Sequence, residues 1–443
     1  MAQEWLWMTA ADLGRGICAG DIDPVALTET YLEAIHGHAL RDRIYARLTA
    51  DRALAEAGAA AERARSGRRV SALDGVPISW KDLFDTAGVA TEAGSALLKG
   101  RVPDQDARVL RNATAAGLVC LGKTHMSELA FSGLGYNPVT ATPPSVNDPD
   151  GVAGGSSSGA AASVAQGLAA VGIGSDTGGS VRAPAVWNDL VGLKTTRGLL
   201  SLDGVVPLVE SLDTVGPLCR SVEDAALMLG AMGGTMVPDL KDASLEGVRL
   251  LILRTVAMDD LDEIPARGFD AATEKLQQAG ALIDRIDIPE VAEANELSAL
   301  LFSTEAYGTW KHKIEEQPDL MFHEIRERFR VGGGFSGADF VAGWRRLKRL
   351  REVYLRKTAG YDAVILPTSP ILPPKIEKLA SDSEYYKVAN LRALRNTRIG
   401  NLMGLAALTL PTGVPSTGLM LQTPPMTEAR LLRLGKAAEA ALA

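Results

Sequence analysis

The sequence is short of the residues on which several common chemistries depend. It has three cysteines, Cys18, Cys120 and Cys219, with no metal-ligand or redox spacing among them. A set this sparse and odd in number excludes a disulfide framework and fits a reducing compartment. Histidine is scarce too: His36, His38, His125, His312 and His323 form no H-E-x-x-H or comparable pattern, so no metal is expected, and no cofactor either. Basic charge is not in excess, with 46 Lys and Arg against 54 Asp and Glu and a net charge of −8. That balance argues against nucleic acid as the main partner. An uninterrupted apolar run of about 18 residues is missing, so no membrane-spanning helix is expected. The opening MAQEWLWMTAADL lacks a basic segment followed by an apolar one. No secretion signal is therefore expected, and the expected location is the cytoplasm.

What is present is the raw material of a large core, since 46% of the 443 residues are hydrophobic. Asp23-Pro24 opens a helix with a capping acid and a proline in its first turn. Leu27, Tyr31 and Ile35 give that helix one apolar face. An alanine-rich helix is expected from Asp51 to Arg65. Further helices are expected over Asp106–Gly117, from Ser221, over Pro265–Ala279, through most of 290–357 and over Glu428–Leu442. Strands are expected over Leu73–Asp82, Leu118–Leu121, Val248–Leu253, Tyr361–Pro367, Leu405–Pro411 and Gly418–Leu421. The segment after Arg182, through Gly198 to Pro217, reads as strands and turns. Strands and helices alternate with no repeat, linker or domain boundary, so a single α/β domain over 1–443 is expected. In WRRLKRLREVYLRK, Leu347, Leu350 and Tyr354 recur at helical spacing, so its basic residues form a solvated face rather than a nucleic-acid site.

The sequence also contains a decoy. Gly117 through Thr124 fits the G-x-x-x-x-G-K-T pattern of a nucleotide-binding loop, but its four intervening residues, Leu-Val-Cys-Leu, are those of a strand. A phosphate cradle needs a flexible loop there, so nucleotide binding is not expected.

The informative stretch is Gly154–Arg182, where two glycine-serine clusters flank an alanine-rich helix and a strand. Glycines let backbone N–H groups approach a ligand closely. Ser180, after Thr177-Gly178-Gly179, sits among amides able to stabilise the oxyanion of an attacked carbonyl. A serine nucleophile needs a base, and no histidine lies in a suitable motif. A lysine made neutral by burial can serve. Lys81, on a strand beside Val76, Ile78 and Trp80 and sharing a face with Ser79, is the best-placed one. Residues alone leave this pairing a guess, beside a flexible turn or a phosphate site.

Three blocks narrow the choice: Gly75-Val76-Pro77-Ile78-Ser79-Trp80-Lys81-Asp82, Gly154-Gly155-Ser156-Ser157-Ser158-Gly159 and Gly174-Ser175-Asp176-Thr177-Gly178-Gly179-Ser180-Val181-Arg182. Together they resemble the amidase signature family, and the likeness runs through nearly the whole chain. The resemblance implies a mixed central sheet covered by helices, with the motifs in 71–220 and a variable helical region at 290–360. It implies a Ser–cis-Ser–Lys triad, with Ser180 as nucleophile, Ser156 as relay and Lys81 as base. The amides of Thr177, Gly178, Gly179 and Ser180 would hold the oxyanion. Ser157, Asp176 and Arg182 would brace the site, and Phe131, Ser132 and Gly133 would line the acyl pocket.

Three positions depart from the family's usual residues: Ser158 stands for glycine, His125 for asparagine, and Trp187 for a smaller or differently shaped residue. The expected activity is hydrolysis of a small-molecule carboxylic amide, with no partner beyond that substrate except, at most, a second copy of the chain as a homodimer. The alternative is the glutaminase subunit of a tRNA-dependent amidotransferase. Against it, Leu394–Asn401 lacks the acid expected to bind glutamine's α-amino group, and Val-Arg-Ala-Pro-Ala replaces that subunit's Ile-Arg-Gln-Pro-Ala.

Overall fold

Among residues 2–443, which the computed structural model describes, eleven strands form one mixed sheet. In chain order the strands are β1 (Tyr45–Leu48), β2 (Pro77–Lys81), β3 (Val119–Thr124), β4 (Pro144–Ser145), β5 (Asp148–Val152), β6 (Val171–Ser175) and β7 (Val191–Lys194). They continue with β8 (Val215–Cys219), β9 (Arg249–Leu253), β10 (Leu282–Ile286), β11 (Ala363–Pro367), β12 (Ala406–Pro411) and β13 (Gly418–Thr423). β4 and β5 pair separately, and the others run β1-β3-β2-β6-β8-β7-β12-β13-β11-β9-β10. β2 is parallel to both its neighbours, β3 and β6. From β6 to β11 the pairs are antiparallel, and β11, β9 and β10 close the sheet in parallel.

The central strands are apolar runs rather than alternating ones, because helices cover both faces. Every residue of β2, β3 and β6 is buried. The helix Ser158–Ala165 packs tightly on β6: a Cβ at Gly172 would stand 2.4 Å from the Ala160 carbonyl oxygen. Small residues on both elements are what allow this approach. The helix Pro24–Gly37 begins as expected, with the Asp23 carboxylate accepting the amides of Val25 and Ala26. Leu27, Tyr31 and Ile35 are fully buried on it. A helix at Ala10–Ala19 precedes it. The closing helix covers Glu428–Leu442, the expected bounds. Leu347, Leu350 and Tyr354 form the buried face of the helix Gly337–Thr358.

Two readings are corrected or decided here. The segment after Arg182 is not all strand and turn: Arg182–Trp187 is a short helix, with Pro184 in its first turn, where the missing N–H costs nothing. The G-x-x-x-x-G-K-T pattern lies largely within β3. Lys123 Nζ is buried and donates to the Phe84 carbonyl at 2.6 Å and to Thr91 Oγ1 at 2.8 Å. That amine is already satisfied by protein groups, and the chain beyond Thr124 makes a 3₁₀ turn at Glu128–Ala130, not the helix a phosphate loop needs. Among the described residues, no helix is long and apolar enough to cross a membrane.

Candidate active site

The site lies at the carboxyl ends of β2 and β6, the crevice that open α/β sheets commonly use for ligands. Side chains alternate along a strand, so Ser79 and Lys81 share a face of β2. Ser79 Oγ meets Ser163 Oγ at 2.8 Å, which places that face against the helix Ser158–Ala165. Two residues on, Lys81 reaches the segment entering the same helix. Its Nζ donates to Ser156 Oγ at 2.7 Å and to Ser175 Oγ at 2.8 Å. The Gly155–Ser156 peptide is cis, as the resemblance implies. Ser157 Oγ donates to the Ser175 carbonyl at 3.3 Å and ties the two glycine-serine segments together. Lys81 is fully buried and forms no ion pair among the described residues. Burial lowers its pKa to about 7, against the opposing pull of Asp213 and Asp176. Lys194 is pushed to about 7 as well, also by burial, yet its Nζ bonds only to the neighbouring Thr195 carbonyl. Of these two buried amines of low basicity, only that of Lys81 contacts serine hydroxyls.

The loop from Asp176 to Val181 is organised by the Asp176 carboxylate. It accepts the amides of Gly179 at 2.8 Å and Val181 at 3.1 Å, two guanidinium N–H groups of Arg182 at 3.0 and 2.9 Å, and Asn401 Nδ2 at 2.9 Å. Burial would raise this carboxyl, but the charge and hydrogen bonds of Arg182 hold it down at about 2. Gly179 has φ 135°, and a Cβ there would fall 2.0 Å from Thr397 Oγ1. Only glycine fits.

Of the four amides expected to face an oxyanion, that of Gly179 is thus engaged by Asp176. Those of Thr177, Gly178 and Ser180 have no acceptor among the described residues, and the same three residues line a narrow inner pocket. Ser180 Oγ has no hydrogen-bond partner among them either, whereas the Thr177 hydroxyl donates to the buried Asp213. Phe131 and Ser132 line the inner pocket too. Ser132 is held by Tyr386 and Asn390, and the Gly133 carbonyl accepts the Gly155 amide.

Sequence reasoning missed the helix Arg395–Leu402, which it had read only as lacking an acid. Thr397 and Asn401 lie one turn apart and grip the loop that carries Ser180. The Thr397 carbonyl accepts Arg182 Nη1 at 2.6 Å, Thr397 Oγ1 donates to the Gly178 carbonyl at 2.9 Å, and Asn401 Oδ1 accepts Arg182 Nη2 at 2.7 Å. Between them, Arg398 lines the inner pocket. Phe302, Arg328 and Arg398 also wall an outer cavity of about 430 Å³, reached over Tyr386, Asn390 and Leu391. The signal was a helix whose polar residues are nearly all buried, but the partners of Thr397 and Asn401 in the Ser180 loop lie more than 200 positions away.

The three departures sit outside these cavities. Trp187 is fully buried, with its indole N–H on the Ile371 carbonyl. Ser158 Oγ donates to the His125 carbonyl. His125 is half-buried, and that burial lowers its pKa.

A family model described as Amidase matches residues 26–432. The chain belongs to the amidase signature family. It is similar to a 2-amino-5-chloromuconic acid deaminase of Comamonas testosteroni, 35% identical over 95% of this chain and 93% of the relative. It is also similar to a glutamyl-tRNA(Gln) amidotransferase subunit from Streptomyces coelicolor, 30% identical over 98% of this chain and 96% of that relative. A solved amidase structure superimposes with a TM-score of 0.89 and 30% identity, covering 98% of this chain and 100% of the other. Amidase-family membership makes the protein a hydrolase. Its mixed eleven-stranded sheet is the amidase fold that the motifs implied.

Proposed function

We propose that this amidase-family protein hydrolyses a carboxylic amide C–N bond of a small molecule through an acyl-enzyme on Ser180, releasing ammonia or an amine. The observation that carries the reading is a fully buried amine, Lys81, with a pKa near 7 and a hydrogen bond to Ser156 Oγ. At neutral pH a large fraction of such an amine is unprotonated and able to accept a proton.

Neutral Lys81 takes the Ser156 proton while Ser156 takes that of Ser180. Substrate binding closes the Ser180–Ser156 hydrogen bond, which is open in the free protein. Ser180 Oγ forms a bond to the carbonyl carbon, and the developing oxyanion is held by the free amides of Thr177, Gly178 and Ser180. The proton returns through Ser156 to the leaving nitrogen as the C–N bond breaks. Water, activated by the same relay, then cleaves the ester and restores Ser180.

A free-standing hydrolase is favoured over a glutaminase subunit. The cavity wall formed by the helix Arg395–Leu402 offers a cation, Arg398, where an α-ammonium would need an acid. A second reading is favoured by the Comamonas relative, whose name denotes removal of an amino group from a muconic acid. The test is ammonia release by the chain purified alone, across an amide panel that includes glutamine and a 2-aminomuconic acid, beside Ser180→Ala. Turnover that survives in Ser180→Ala overturns the mechanism, and release from glutamine alone returns the glutaminase reading.

A further inference from the structure

Two arginines in the substrate cavity have no acid. Arg398 is 8% exposed, and no hydrogen bond or ion pair engages its guanidinium among the described residues. Arg328 donates one N–H to the Phe131 carbonyl at 3.0 Å and lies over the Phe131 ring, 4.4 Å from its centre, but forms no ion pair. Both border the inner pocket that holds Ser180. The acids of the outer cavity are turned to other partners: Glu327 pairs with Arg326 and Arg330, and Glu324 accepts the Ser383 hydroxyl. The contrast with Arg182 is sharp, since that fully buried guanidinium is saturated by Asp176, Asn401 and Thr397.

A cation partly withdrawn from water without a counter-charge is unfavourable, and a second cation on the same pocket adds repulsion. Burial lowers Arg328 to about 10, and burial with the charge of Arg328 lowers Arg398 to about 9. Both remain charged at neutral pH, because each value lies well above it. Positive charge held under such strain is a feature of sites completed by an anionic ligand. Guanidinium forks match a planar carboxylate with two parallel hydrogen bonds.

We propose that the substrate's acyl portion carries a carboxylate, bound by Arg398 with Arg328, and that the substrate class is the monoamides of short dicarboxylic acids. The inference rests on the amide-hydrolase reading above and narrows it. The pocket that takes the scissile carbonyl at Ser180 is the one both arginines wall, so only a few carbons separate the two ends of the substrate. Aromatic and aliphatic walls, Phe131, Phe302 and Leu394, suit that short apolar spacer.

The experiment compares kcat/KM for succinamate, glutaramate and adipamate with that for uncharged amides of matched chain length. In parallel, glutarate is tested as a competitive inhibitor and as a stabiliser in thermal unfolding. The expected result is a preference of about 30-fold or more for a carboxylated amide, falling with salt and collapsing in Arg398→Met, with Arg398→Lys retaining part of it. Glutarate should raise the melting temperature of the wild type and not that of Arg398→Met. A wild type that prefers the uncharged amides, or glutarate that neither inhibits nor stabilises, overturns the proposal. No turnover of any amide, with glutarate still stabilising through Arg398, sinks the amide-hydrolase reading and upholds the anion site.

Discussion

Lys81 Nζ donates to Ser156 Oγ at 2.7 Å across 75 positions of sequence, with both residues fully shielded from solvent. The bond exists because β2 and β6 are parallel neighbours and the helix Ser158–Ala165 lies over both. It links an amine of lowered basicity to a hydroxyl without a histidine.

Replacing Ser180 by alanine is expected to lower kcat by ~10⁴-fold or more, since removal of an activated nucleophile leaves only binding and oxyanion contacts. Ser156→Ala should fall by several orders as well, because Lys81 then has no relay to Ser180. Single-turnover rates on any amide found to react provide the check. A Ser156→Ala enzyme with wild-type rates would remove the relay from the mechanism.

The pH profile follows from Lys81. Its pKa is lowered to about 7 by burial, and the unprotonated form is the base, so kcat/KM should rise with pH through about 7 and level off above it. Lys81→Met should lose that inflection along with most of the rate. An unchanged inflection in Lys81→Met would assign the titration elsewhere.

Arg182→Met should destabilise the fold by about 3–5 kcal/mol, because it leaves the Asp176 carboxylate buried without its cation. Denaturant titration reads this directly. The loop carrying Ser180 hangs from the same carboxylate, so activity should fall in the fraction that remains folded.

Gly179→Ala should cost about 2 kcal/mol or more, from a left-handed backbone and a Cβ placed 2.0 Å from Thr397 Oγ1. A paired Thr397→Ala substitution should recover a small part of the loss by removing the nearest obstructing atom, Oγ1, while the residue-397 Cβ at 2.5 Å stays, measured as a double-mutant cycle.

Arg398→Met should move stability the other way, raising it by roughly 1 kcal/mol, because it removes a buried charge that no protein group compensates. Unfolding midpoints without ligand decide it. A loss of stability would mean that Arg398 supports the fold.

Much of the fold was legible because its signals are local. Asp23-Pro24 caps its helix by short-range hydrogen bonds, and the closing helix announces itself by period and length. β10 escaped notice: Leu282–Ile286 is a largely exposed edge strand, and its mixture of polar and apolar residues carries no buried run. The helix Arg182–Trp187 was hidden because its start is set by Asp176, six positions back, rather than by a cap of its own. At the candidate site, Lys81, Ser156 and Ser180 were named by the motifs that resemble the family, and the structure joins Lys81 to Ser156 by a hydrogen bond. Thr397, Arg398 and Asn401 were not, since nothing local distinguishes a helical threonine that meets Gly178 from one that faces water. The oxyanion donors were read as four successive amides, and only the side chain of Asp176 reveals that one of them is occupied.

The helix Arg395–Leu402 touches the loop that carries Ser180 through Thr397 and Asn401 and the adjoining cavity through Arg398. Over a single turn, Thr397 and Asn401 are hydrogen-bonded to that loop while the Arg398 side chain lines the cavity and makes no such bond. A retargeting library can therefore be confined to residue 398 and its cavity neighbours with the alignment of Ser180 left untouched.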